Sequence, residues 1–353
     1  MLKVNFWLKK MIKEWLFLSS TVGVIATSIY LGRIPHYDKG DIRVLTIIFL
    51  FLVVLKGLEN THFLNRIALA LSKGRYVHFK IVFLVAILSM FFTNDISLLI
   101  IVPITLAMEI PHKDLIVIFE AIAANAGSSL LPSGNPQNMF IYWFYNISLK
   151  QFVSEIFPFT LISLGILFFI MLFMKPAKVH VEQAQDIDKS YIAYLILLAI
   201  MLGVVLKLIP IYFSALVAIY VILFDRKALL VDYFLLGIFF MFFGFTDNLQ
   251  HLIKISSGTI HGVFLFSAVL SQLISNVPAA LLLADFTHKW QQLLWGVSVG
   301  GYGNLIGSLA NLIAYRIYVS YQENSTGKFL AKFLAVGYFF YFTMFFIYMA
   351  YFK

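Results

Sequence analysis

The chain has 353 residues, 61% of them hydrophobic, 17% aromatic and only 12% charged. Soluble domains carry about twice that charged fraction, so the composition excludes an ordinary soluble domain and points to an integral membrane protein. The formal net charge of +9 does not indicate nucleic acid, since Lys and Arg sit in short loops between apolar runs, and the lack of cysteine excludes disulfides and thiolate metal sites.

Lys3, Lys9, Lys10 and Lys13 precede an apolar run from Trp15 to Leu31. The run is long for a cleaved signal peptide and its cleavage chemistry is poor, so it reads as a retained first span. Further spans are expected at roughly 42–58, 152–174, 191–208, 211–224, 230–246 and 328–351. Some fall short of the ~20 residues of a full span and should extend into their flanks. Four more apolar arms surround polar interruptions. Arms 80–92 and 96–110 flank Thr93-Asn94-Asp95, and arms 261–274 and 278–284 flank Ser275-Asn276. Each pair reads as a re-entrant hairpin. Segments 115–146 and 290–315 read as spanning helices broken near their centres.

The expected fold is therefore an all-α polytopic membrane protein of about ten transmembrane segments. Its two inverted repeats each hold one re-entrant hairpin and one broken helix. The divisions are an N-terminal span (1–41), a first repeat (42–174), a linker with connecting spans (175–229) and a second repeat (230–353). Leu52–Gly57 followed by Glu59-Asn60 resembles Phe239–Gly244 followed by Thr246-Asp247. Stretches 61–74 and 249–258 read as interfacial helices. With the N-terminus in the cytoplasm, about 17 of the 26 Lys and Arg fall inside and about 8 outside, with Lys56 in a span end. That topology makes the halves inverted, as expected of an alternating-access carrier.

The interruptions carry the chemistry. Asn135 precedes Pro136; Asn is a strong N-cap and Pro suits the first helical position, so a half-helix should begin at Pro136. Ser308 takes the cap in the second half, behind Gly307 as Asn135 sits behind Gly134. Asn138 and Asn311 each follow the cap by three residues. A helix starting inside the membrane presents unpaired N–H groups and about half a positive charge, which attracts an anion. The end of the preceding half-helix offers carbonyls to a small cation. Thr93, Asn94, Ser275 and Asn276 add hydroxyls and amides. Alternatively these side chains only glue helices together, at about 0.6 kcal/mol each. Asp95, matched by Val277, is an ionisable group inside the membrane and so a functional candidate; otherwise it caps the arm beginning near Ile96. Glu120 reads as structural, and Glu59 and Lys207 as span-end residues. The eight His lie in loops or span ends without metalloprotease spacing. An intramembrane enzyme would need a nucleophile–base pair or metal ligands converging at depth, and the His positions argue against one, so neither an enzyme nor a cofactor is expected.

Thr93-Asn94-Asp95, the run Asn125-Ala126-Gly127 through Pro132-Ser133-Gly134-Asn135-Pro136-Gln137-Asn138, Ser275-Asn276-Val277-Pro278 and Gly307-Ser308-Leu309-Ala310-Asn311 resemble the ion transporter superfamily. That group holds citrate-type permeases, divalent anion:sodium symporters, arsenite permeases and NhaD-type sodium/proton antiporters. The resemblance covers roughly 42–351. It implies substrate and coupling ions at Thr93, Asn94, Ser133, Gly134, Asn135, Ser275, Asn276, Gly307 and Ser308, and a scaffold that often dimerises. Dicarboxylate symporters typically carry Ser-Asn-Thr at both tips, whereas here the tips read Thr-Asn-Asp and Ser-Asn-Val.

The combined expectation is a secondary active transporter in the plasma membrane. It moves a small anion, a carboxylate or inorganic oxyanion, coupled to Na⁺ or H⁺. Its site residues are Thr93, Asn94, Asp95, Ser133, Gly134, Asn135, Asn138, Ser275, Asn276, Gly307, Ser308 and Asn311. A sodium ion would sit among Asn94, Asp95, Ser133 and Asn276. The alternative is a cation/proton antiporter using Asp95.

Overall fold

A computed structural model describes residues 15–71, 76–174, 188–253, 262–321 and 326–351. The basic N-terminal segment and most of the 175–190 linker lie outside the described residues. Among those described, the secondary structure is helical and no strand occurs. The helices are α1 (Trp15–Leu31), α2 (Lys39–Asn60), α3 (Phe63–Leu71), α4 (Val77–Phe92), α5 (Asn94–Ala107), α6 (Lys113–Ser129), α7 (Pro136–Phe144) and α8 (Leu149–Met171). They continue as α9 (Tyr191–Val205), α10 (Ala215–Phe224), α11 (Tyr233–Ile253), α12 (Val263–Ile274), α13 (Asn276–Ala284), α14 (Trp290–Gly300), α15 (Leu309–Tyr321) and α16 (Thr326–Tyr351). Of these, α8 and α16 are long and apolar enough to cross a bilayer unaided, and α1, α4, α5, α9 and α12 are shorter apolar helices. The architecture fits a polytopic membrane protein.

Several boundaries differ from the expected ones, for local reasons. The expected span 211–224 opens on a 3₁₀ turn, Ile211–Ser214, behind Pro210, which cannot donate into a preceding helical turn. The expected span 230–246 instead runs as α11 to Ile253. It continues through Asp247 because that carboxylate is paired with Arg33 at 2.8 Å and accepts the His36 backbone N–H at 2.9 Å. Residues 249–253 are thus part of α11, and 254–258 lie outside the described residues. Within the stretch 61–74, residues Phe63–Leu71 form the helix α3.

The packing falls into matched pairs. The arms α4 and α5 lie against each other, as do α12 and α13. Helix α4 also packs on α6, and α12 on α14. Across the halves, α5 packs on α15 and α13 on α7. Helix α1 lies along α11, and α9 along α2. The two helix pairs and the two interrupted helices therefore enclose the centre, and the long apolar helices lie outside them. Exposed Phe169, Phe173, Phe342 and Phe346 on α8, its C-terminal turn and α16 give these outer helices an apolar surface suited to lipid.

Candidate functional site

The helix pairs each turn on a single residue. Only Thr93 separates α4 from α5, at φ 66 and ψ 150. Only Ser275 separates α12 from α13, at φ 76 and ψ 156. Glycine alone adopts this region freely, and a side chain held there costs about 1–3 kcal/mol. Such strain persists where the surrounding structure over-determines it. Here it lets one helix stop and the next begin without a loop, with Asn94 or Asn276 as the first residue of the new helix.

The first interrupted helix follows the capping logic, and the second begins at Leu309, directly after Ser308. Asn135 is extended, its side chain accepts the Asn138 backbone N–H at 2.9 Å, and Pro136 opens α7. The unwound strand passes close to the helix it left. A Cβ at Gly134 would sit 2.0 Å from the Ser128 carbonyl oxygen, and one at Gly307 would sit 2.5 Å from that of Gly300. No larger residue fits either place without moving backbone.

The carbonyls released by unwinding are largely occupied. The Asn138 amide donates to the carbonyls of Ser128, Ser129 and Leu131 at 3.1, 3.0 and 3.3 Å. In the second half, the Asn311 amide donates to those of Gly301 and Asn304, both at 2.9 Å. Asn138 and Asn311 are therefore braces, filling the acceptors that the sequence offered to a cation. Gln272 supports the second break further, donating to the carbonyls of Gly300 at 2.7 Å and Tyr302 at 2.9 Å and accepting the Asn304 N–H at 3.0 Å. The Gly307 carbonyl accepts the Asn276 N–H at 3.0 Å, which ties the second tip to the second break.

A buried amide chain joins the halves. Asn125, from the middle of α6, donates to Asn311 Oδ1 at 2.8 Å. Asn94 donates at the limit of hydrogen-bond length to Asn125 Oδ1 (3.4 Å) and Ser308 Oγ (3.5 Å). Asn125, Asn94, Asn311 and Ser308 are all buried.

These elements surround a cavity of about 130 Å³, lined among others by Asn94, Asp95, Ser275, Asn276 and Ser308. Pro136-Gln137, Val277-Pro278 and Leu309 also line it, so the N-terminal turns of α5, α7, α13 and α15 all meet the same space. Among the described residues no Lys or Arg lines it, and the charged groups there are Asp95 and Asp232. Asp95 Oδ1 is shut off from solvent and has no hydrogen-bond partner. Thr93 lines the adjoining chamber rather than this one. Ser133, Gly134, Asn135, Asn138, Gly307 and Asn311 are not among the residues that line either space. The Ser133 hydroxyl, expected beside a sodium ion, donates to the Met90 carbonyl at 3.0 Å. Asn94, Asp95 and Asn276 of that expected set do meet at the cavity.

The family model described as "Citrate transporter" matches residues 11–300. The chain belongs to the citrate transporter family. The resemblance read from the tip and break motifs is thereby supported over most of the chain. A relative from Methanocaldococcus jannaschii, named an uncharacterized transporter, is 33% identical over 296 residues, covering 80% of this chain and 82% of its own length. The Escherichia coli inner membrane protein YbiR is 35% identical over 257 residues, 66% of this chain and 67% of its own. A silicon efflux transporter of Oryza sativa subsp. japonica is 30% identical over 146 residues, 39% of this chain and 30% of its own. The family and the Methanocaldococcus and Oryza relatives are transporters by name, and YbiR is named an inner membrane protein.

Sequence reasoning did not single out Asp232, Gln272 or Asn304. Asp232 falls at the head of an expected span, where a carboxylate is ordinary. Gln272 and Asn304 act through the folded break, and no fixed spacing announces them.

Proposed function

We propose that this protein is a secondary active transporter of a small anion, coupled to Na⁺ or H⁺. One observation carries the reading: four helix N-terminal turns meet a single cavity that, among the described residues, no Lys or Arg lines. Each N-terminus is worth roughly half a positive charge, so together they set roughly two positive charges against Asp95 and Asp232. The hydroxyls of Ser275 and Ser308 and the amides of Asn94 and Asn276 supply directional donors. A cation or proton on the carboxylates leaves the dipoles free to hold an anion. Cargo and coupling ion then favour each other's binding, which is the thermodynamic basis of symport.

The proposed topology is two inverted repeats with α4–α5 and α12–α13 as re-entrant hairpins. What supports it is the placement of their open ends. The end of α13 meets Tyr145 through the Ala284 carbonyl, near Asn146 and Lys207. Helix α5 instead packs against α3, the helix that follows Thr61, whose carbonyl accepts the Asp188 N–H. The hairpins and broken helices would move together past the outer helices, with the N-terminus and the Thr61–Asp188 face in the cytoplasm and the protein in the plasma membrane.

Cation/proton antiport is the second reading, favoured by the unpartnered oxygen of Asp95 at the cavity. One relative is named for silicon, so inorganic oxyanions belong beside carboxylates in the test. Purified protein in proteoliposomes should be offered citrate, succinate, sulfate, phosphate, silicate and arsenite under separate Na⁺ and H⁺ gradients. Gradient-driven accumulation of one of them is the expected result. Cation exchange with no anion accumulated under either gradient would give the antiport reading the site.

A further inference from the structure

The cargo cavity continues into a second space. It shares Asp95, Pro136, Asp232, Leu235 and Leu309 with a chamber of about 210 Å³. That chamber shares Lys56 and Leu230 with a vestibule of about 820 Å³, walled by Asp188, Tyr220 and Arg226 among others. Three spaces thus run in series from the helix N-termini to the face carrying Thr61 and Asp188. On the opposite side the Tyr145 hydroxyl holds the Ala284 and Thr287 carbonyls at 2.8 and 3.0 Å, and Arg33 holds Asp247.

Charge is distributed unevenly along this series. Among the described residues, the middle chamber is lined by three carboxylates, Glu59, Asp95 and Asp232, and by one ammonium, Lys56. Lys56 Nζ pairs with Glu59 Oε2 at 2.9 Å, which leaves Asp95 and Asp232 uncompensated there. They come from different elements, Asp95 from the first turn of α5 and Asp232 from the head of α11. Asp232 spends Oδ1 on the Phe234 and Leu235 N–H groups, at 3.0 and 3.3 Å, and as an exposed residue it lines the chamber. Asp95 contributes a buried, unpartnered Oδ1 from the other side. An anion entering between two carboxylates is repelled; a small cation is held. The volume admits an ion with several waters, each of about 30 Å³.

We propose that the middle chamber is the coupling-ion site: a partly hydrated monovalent metal cation sits between Asp95 and Asp232, and Lys56 is a tethered competitor for the same place. The inference rests on the transporter reading and deepens it, since occupancy beside Asp95 neutralises the charge that opposes an anion at the adjoining N-termini. Lys56 has a flexible stem and a compact ammonium, so it can leave Glu59 and reach the chamber when no metal ion is present. Because Asp95 belongs to a helix pair and Asp232 to α11, the ion also bridges the unit proposed to move and its surroundings.

The test uses Na⁺ as the probe and binding as the first readout, so it does not depend on knowing the cargo. Thermal stabilisation of the purified protein by NaCl, against choline chloride at constant ionic strength and pH, gives an apparent Na⁺ affinity. Asp232→Asn keeps the helix cap, because Asn caps as well as Asp; it should weaken that affinity at least about tenfold. Lys56→Met should strengthen it several-fold, and Asp232→Glu should stay near the wild-type value. Opposite shifts for Asp232→Asn and Lys56→Met support the chamber. Shifts of the same sign, no shift in either, or no Na⁺ stabilisation of the wild type would overturn it. Should the wild type bind Na⁺ in this pattern and accumulate no anion, the anion-symport reading fails and the chamber stands. Should an anion be accumulated on a pH gradient alone, with no Na⁺ effect, the metal ion is excluded while the transporter reading survives.

Discussion

Removing the Asn138 amide tests whether the first break is held by its own side chains or kept open for a ligand. In Asn138→Ala, two N–H groups that serve two buried carbonyls and one part-buried carbonyl disappear. Stranding a buried acceptor costs about 1–3 kcal/mol, so two lost donors give about 2–6 kcal/mol as a first value. Measured interhelical hydrogen bonds in membranes average only about 0.6 kcal/mol, because the unfolded chain also finds partners there. These carbonyls are enclosed by protein, and the lower part of the range applies, about 2–3 kcal/mol. At about 2–4 °C per kcal/mol the melting temperature in detergent should fall by about 4–12 °C. Asn138→Asp should be worse, because it turns acceptors against acceptors. Asn311→Ala, which strips the Gly301 and Asn304 carbonyls, should behave alike. Differential scanning fluorimetry and cargo uptake would be read on the same preparations. A normal melting temperature with a raised cargo KM would refute the reasoning, since Asn138 would then be a ligand and not a brace.

Three further outcomes follow. Gly134→Ala places a methyl within 2.0 Å of the Ser128 carbonyl, so backbone must shift; yield and melting temperature should both fall, and a wild-type melting curve would show that the break is looser than described. Asp95→Asn should leave cargo binding measurable while abolishing its dependence on the cation gradient; in the antiport reading all ion exchange is lost and no anion is ever taken up. Burial, with Asp247 and Asp38 adding to it, holds the Asp285 carboxyl above its usual range despite opposing hydrogen bonds. The native state therefore binds this proton more tightly than the unfolded chain does, and stability should decline as pH rises from the ordinary aspartate value through the raised one. Melting temperatures across that range should flatten in Asp285→Asn, and an unchanged slope would remove Asp285 from the explanation.

The parts of the site legible in sequence were those with fixed local chemistry. Asn135-Pro136 announces a helix start, and the helix starts there. The Gly-cap-x-x-Asn spacing singled out Asn138 and Asn311 but not the carbonyls that their amides bond. Propensity says where an amide sits, whereas only the fold shows that it turns back to carbonyls seven to ten residues earlier. The tips show the opposite limit. Thr-Asn-Asp and Ser-Asn-Val mark polar interruptions, yet no local rule puts Thr93 and Ser275 into glycine's backbone region, because tertiary packing imposes it. Helix α11 overran its expected end because Arg33, 214 positions earlier in the numbering, neutralises Asp247. Asp232 escaped notice because its importance arises only when α11 and α5 share a wall.

The chain has no cysteine, so a single introduced thiol reports its surroundings without background. Ser308→Cys puts that thiol in the cargo cavity. The deciding measurement is its rate of modification by a small membrane-impermeant reagent, applied separately to each face of sealed vesicles, with and without cargo. The account predicts reaction from the Thr61–Asp188 face and protection by the transported anion. A thiol that reacts equally whether or not cargo is bound, or that reacts from neither face, would contradict it.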